Sequence, residues 1–87
     1  MNVEVVTPYE VLWSGEASSV VAPALEGDLG ILPGRQPVLA ILRPGNVRVT
    51  PAGSGEQVSF EVYSGFLACD DDQIQVVVDN RGDMPEV

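Results

Sequence analysis

Apolar residues recur at every second position in short runs, and glycine, proline or a polar turn closes each run. Val3 and Val5 alternate with Asn2 and Glu4, and Val47 and Val49 with Asn46, Arg48 and Thr50. Val58, Phe60 and Val62 alternate with Ser59, Glu61 and Tyr63, and Ile74, Val76 and Val78 with Gln73, Gln75 and Val77. A period of two puts successive side chains on opposite faces of a strand. Turn signals every eight to twelve residues or so, or closer, mark an antiparallel sandwich or barrel. No segment carries a 3.6-residue apolar stripe, and valine fills the inward row of most strands, as a pleated, half-buried surface favours.

The remaining runs are a second strand over Glu10–Ser14 closed by Gly15, a third over Ala17–Ala22 closed by Pro23, short pieces at Leu29–Leu32 and Pro37–Leu42, and a run at Phe66–Cys69. Pro51–Gly55 is expected to be a flexible hairpin loop, and Asp70–Asp72 a tight turn. No internal repeat or linker divides the chain, so residues 1–87 are expected to form one domain; its last eight residues, Asn80–Val87, are polar. A chain this short buries about 60% of its extended surface and has room for one core.

Charge narrows the partners. Four arginines and no lysine face thirteen acidic residues, a net charge of −9. Binding to nucleic acid needs a basic stripe to neutralise phosphates, and binding to an anionic membrane needs a basic cluster, so both are excluded as partners. An acidic surface suits solubility or a basic protein partner. Cys69 is the single cysteine, so no intrachain disulfide forms and no oxidising compartment is indicated. No run approaches the ~18–20 apolar residues of a membrane span, and strand alternation begins at Asn2 without a signal peptide. The expectation is a soluble, intracellular chain with no direct membrane insertion.

Catalysis finds little support. The chain has no histidine, which removes the commonest general base and the commonest neutral metal ligand, and leaves its serines without a partner to activate them. Cys69 lies in a strand and reads as a buried, inert thiol rather than a nucleophile. Asp70-Asp71-Asp72 lacks the alternating ligands, the glycine and the distal glutamate of a calcium loop, so it reads as a solvated turn. Gly27, Gly30 and Gly34 are followed neither by lysine nor by a helix, which rules out a phosphate cradle. No metal or cofactor is expected.

The densest punctuation falls in EGDLGILPGRQPVLAILRPG, Glu26–Gly45, with two Pro-Gly pairs around an apolar run. Asp28 and Arg35 flank Leu29–Gly34 in a loop-rich corner. Proline limits the freedom lost on binding, so the corner reads either as well-made turns or as a rigid docking tip.

That segment, extended through Asn46-Val47-Arg48-Val49, resembles the signature of the N-terminal domain of the epsilon subunit of bacterial F-type ATP synthase. Val5-Val6-Thr7-Pro8 with Val11–Gly15 is similar to the family's opening hairpin, Tyr63–Leu67 to its GGFL turn, and Ile74–Asp79 to its closing strand. The resemblance covers essentially the whole chain. It implies an all-β fold, an antiparallel β-sandwich of two sheets with about ten short strands, at the foot of a central stalk. It implies a non-catalytic rotor subunit that docks the gamma subunit onto the c-ring, peripherally on the cytoplasmic face of the bacterial plasma membrane. Asp28, Leu29, Pro33, Gly34 and Arg35 would meet the c-ring; Thr7, Pro37, Val38 and Ala40 would lie on the gamma side. An apolar patch on one sheet face would carry the affinity for gamma.

Three departures from the family pattern stand out. Arg35 holds the position where histidine is usual, so it is expected to pair with Asp28 or with a carboxylate or carbonyl of a partner. Ser64 replaces the first glycine of the GG turn and so removes one position for a positive φ. The family continues into two antiparallel helices where this sequence reaches Val87, so a subunit without the inhibitory helical arm and without nucleotide binding is expected. The alternative reading is a free-standing small β-sandwich module whose acidic face binds a basic protein or ligand, or a metal.

Overall fold

The computed structural model describes residues 1–79, and the expectation for Asn80–Val87 lies outside them. Eight strands follow in order: β1 Asn2–Val6, β2 Val11–Ala24, β3 Gly27–Ile31, β4 Val38–Leu42, β5 Gly45–Pro51, β6 Val58–Val62, β7 Ser64–Asp70 and β8 Gln73–Asp79. Hydrogen bonding orders β4–β7–β8–β1 in one layer and β3–β2–β5–β6 in the other. The long β2 joins them. Its first part pairs with β1, and its last part lies between β3 and β5, with a register shift between Ala17 and Ser19 where it turns from one layer to the other. β1 runs parallel to β8 and antiparallel to β2.

The inward rows of both layers form one core. Val3, Val5, Leu67, Val76 and Val78 come from one layer, and Val20, Ala22, Ile31, Val47, Val49 and Val62 from the other, all essentially inaccessible to solvent. Among the described residues no buried side-chain nitrogen or oxygen lacks a hydrogen-bond partner.

Among the described residues there are eight strands rather than about ten, chiefly because the expected second and third strands are one. Gly15 does not end a strand. It sits in the ladder opposite Val3, and a Cβ there would lie 3.2 Å from the Trp13 ring two residues back on the same face. The indole covers the missing side chain, a known rescue of strand glycine. Pro23 does not end the strand either. Its carbonyl accepts the Arg43 N–H at 2.8 Å, on the edge beyond the last β2–β5 pair, Val21 with Arg48. The absent proline donor therefore removes no ladder bond.

The two Pro-Gly pairs differ. Leu32-Pro33-Gly34-Arg35 is a type II turn: Gly34 has φ 87°, and the Arg35 N–H donates to the Leu32 carbonyl at 3.3 Å. Pro44-Gly45 is no such turn, because Gly45 already belongs to β5. Its constraint is space, as a Cβ would fall 2.9 Å from the Pro23 Cβ. The serine at position 64 removes no needed conformation, since the positive φ of this turn belongs to Gly65, at 141°.

Candidate functional site

β4 is apolar on both parities, and the pairing decides what each parity does. Leu42 is buried, and Ala40 and Val38 share its inward row opposite Leu67 and Cys69. Leu39 and Ile41 therefore point outward and are 71% and 54% exposed. Ile41 pairs with Phe66, Phe66 with Val77, and Val77 with Val6, so one apolar row crosses all four strands of the layer. The Leu25 N–H donates to the Ile41 carbonyl at 3.0 Å and brings another exposed leucine to its end. The next row runs Leu39, Ala68, Gln75, Glu4, with Gln75 Nε2 donating to Glu4 Oε1 at 3.2 Å. Beyond it lie Asp70, Gln73 and Asn2. The outer face thus grades from apolar to acidic along the strands. An exposed run of adjacent large apolar side chains is a common mark of a protein-binding surface.

The acidic end meets the Leu32–Arg35 turn. β7 and β8 are joined by a two-residue loop in which Asp71 and Asp72 have φ 54° and 60°, both left-handed, as a type I′ hairpin requires. Asp72 Oδ1 accepts the Gly34 N–H at 2.8 Å. Arg35, Pro37 and the three aspartates line one shallow surface groove. Cys69 is buried in the same strand, with its thiol pKa pushed up first by burial and then by Asp72, while Arg35 pulls it down and Asp70 adds a smaller upward push.

Asp28 belongs to a different cluster. Its carboxylate meets Arg43 Nη2 at 3.2 Å and Arg48 Nη2 at 3.7 Å, while Arg43 Nε donates to the Ala24 carbonyl at 2.9 Å. The expected Asp28–Arg35 pair is thus replaced by pairs with Arg43 and Arg48. Geometry explains this: Asp28 precedes the end of β3 by three residues, about 10 Å of extended chain, and faces Pro23 beside the β4–β5 junction. Asp28 and Arg35 do line a common groove between β3 and β4, with Leu29, Val38 and Ala40. That groove exists because β3 bonds to β2 while β4 bonds to β7 and pairs with β2 only at Ala24–Leu42.

Among the other residues singled out from sequence, Pro33, Gly34, Arg35 and Pro37 are exposed, and Leu29, Val38 and Ala40 are half-buried. Thr7 is buried, and its hydroxyl serves its own turn, accepting the N–H groups of Tyr9 and Glu10 at 3.1 Å each. Leu39, Ile41, Phe66, Asp72 and Arg43 escaped the sequence reading. The apolar character of β4 on both parities was the available sign for the first two. Among the described residues no cluster of His, Cys, Asp or Glu could hold a metal ion, and no helix is long and apolar enough to cross a membrane.

Comparison with known proteins gives consistent results. Residues 1–81 match the family described as the β-sandwich domain of the ATP synthase delta/epsilon chain. The chain is 42% identical over 79 residues to the ATP synthase epsilon chain of Halorhodospira halophila, covering 91% of this chain and 56% of that one. It is 52% identical over 66 residues to ATP synthase epsilon chain 2 of Ralstonia nicotianae, covering 76% and 47%. The chain therefore spans about half the length of the curated relatives it matches. Its fold superposes with a TM-score of 0.77 on a chain from the cryo-EM structure of the Euglena gracilis mitochondrial ATP synthase, OSCP/F1/c-ring, at 19% identity, covering 87% of this chain and 48% of that one.

Proposed function

The chain belongs to the β-sandwich family of ATP synthase delta/epsilon chains, and from that premise we propose that it is a non-catalytic rotor subunit that docks gamma onto the c-ring and transmits ion-driven rotation to the catalytic sites. The observation that carries this reading is the Ile41–Phe66–Val77–Val6 row, an apolar strip on the outer face, exposed at Ile41 and Phe66 and half-buried at Val77 and Val6, with a tight turn at the acidic end of that face. Gamma covers the strip, with Leu39 beside it on β4, Pro37 leading into that strand and Thr7 shaping the turn after Val6; Val38 and Ala40 face inward and only line the neighbouring β3–β4 groove. Burial of apolar surface supplies the affinity.

The Pro33–Gly34–Arg35 turn is the part that meets the polar loops of the c-ring, with Asp28 and Leu29 behind it on β3. Charge at this end sets orientation and register more than affinity. The subunit works at the cytoplasmic surface of the membrane without entering it and binds no nucleotide in this domain. No bond is made or broken in it.

The deciding experiment is co-purification with the gamma subunit of the same enzyme. Binding at about micromolar affinity or better, lost on replacing the apolar row, supports the reading. No binding at any salt concentration refutes it and favours a free-standing module for a basic ligand.

A further inference from the structure

Residues 32–37 form an exposed excursion between β3 and β4. Its internal bond, Arg35 N–H to the Leu32 carbonyl, is long at 3.3 Å. The hydrogen bond that ties it to another element is Gly34 N–H to Asp72 Oδ1, at 2.8 Å and across 38 residues of sequence. Asp72 is itself held firmly. Its carbonyl accepts the Asn2 N–H at 2.9 Å, and its own backbone is left-handed inside a two-residue hairpin loop. The hairpin thus presents a carboxylate from a fixed point of the β1–β8–β7 layer to a fully exposed turn.

We propose that Asp72 is a positioning residue for the docking tip: its carboxylate holds the Pro33–Gly34–Arg35 turn in the shape that meets the ring before the ring arrives. This rests on the reading that the tip contacts the c-ring. A tip ordered in advance loses less freedom on binding, so its restraint appears as affinity without Asp72 touching the partner. Arg35 gains as well, since the same bond seats it beside Asp70 and Asp72 in one groove.

Two variants of the full chain test this. Asp72→Gly keeps the left-handed backbone at no steric cost and removes the carboxylate. Asp72→Asn tolerates that backbone too and keeps an oxygen acceptor at Oδ1 without the charge. The first measurement is amide hydrogen exchange at Gly34 by NMR. Exchange is expected to be slow in the parent and in Asp72→Asn, and about fivefold faster in Asp72→Gly, the scale of one exposed hydrogen bond.

The second measurement is affinity for a detergent-solubilised c-ring carrying gamma. Asp72→Asn should stay within about twofold of the parent and Asp72→Gly should bind about fivefold more weakly while remaining folded. Equal Gly34 exchange in all three proteins overturns the proposal. So does an Asp72→Asn loss as large as that of Asp72→Gly, because the ring would then be reading the charge itself. If the parent does not bind the ring, the docking reading fails, while Gly34 exchange still decides whether Asp72 holds the turn.

Discussion

A Cβ on Gly65 would fall on the carbonyl oxygen of Val77, with the Val78 Cα only 2.9 Å away. Gly65 also has φ 141°, outside the range of ordinary side chains. Both obstacles are backbone, so no rotamer change relieves them. Gly65→Ala should therefore force β7 off β8 and cost about 3 kcal/mol or abolish folding. Gly34 has a positive φ but open space around it, so Gly34→Ala should cost about 1 kcal/mol. Urea midpoints of the two variants test the contrast, and equal losses would contradict it.

Ile41→Ser and Phe66→Ser remove neighbouring side chains of the outer row without entering the core. Each should leave stability within about 0.5 kcal/mol of the parent, as surface changes do. Gamma affinity should fall about tenfold or more for each, the scale of one buried apolar side chain. Titration calorimetry with isolated gamma gives the answer.

Asp28 sits between two arginines, all three near half-exposed. Exposed pairs contribute little, so Asp28→Asn should cost under about 1 kcal/mol in thermal unfolding. Asp28→Arg adds a third positive charge to the cluster. The domain should still fold, and ATP-driven proton pumping by membranes carrying the variant should drop. An unchanged pumping yield would remove Asp28 from the coupling surface.

Cys69 carries a pH signature. Its folded thiol pKa is raised, chiefly by burial, so the native state holds the proton more tightly than the unfolded chain. The stabilisation is complete below the ordinary thiol value of about 8.5 and is lost as pH rises through the folded value. The urea midpoint should begin to fall as pH rises past about 8.5, and less so in Cys69→Ala. The same burial should make Cys69 slow toward thiol reagents until the chain unfolds.

Much of this architecture was legible because strand parity is a local property. The alternation of Val3 with Val5, Val47 with Val49 and Val76 with Val78 named core positions before any pairing was known, and each is buried. The Leu32–Arg35 turn was legible too, because proline and glycine impose their backbone angles without outside help. Gly15 and Pro23 misled for the converse reason. Each weakens a strand on its own, and each is rescued by a residue from outside the local pattern, the Trp13 ring or the arrival of Arg43 at an edge with no ladder bond to lose. The site was partly hidden in the same way: Val38 and Ala40 look as available as Leu39 and Ile41 until β7 pairs with β4 and buries one parity.

By itself the sequence determined that this is an all-β chain with one valine-rich core, an acidic exterior and a stiff Pro-Gly turn between two strands. These follow from side-chain alternation, charge and the conformational limits of proline and glycine. Only the tertiary structure decided which charges meet. Asp28 lies seven residues from Arg35 yet pairs with Arg43 and Arg48, and Gly34 is held by Asp72 from another hairpin. Ion pairs and hydrogen bonds need contact within a few ångströms, and in a sandwich that proximity comes from strand register rather than from distance along the chain.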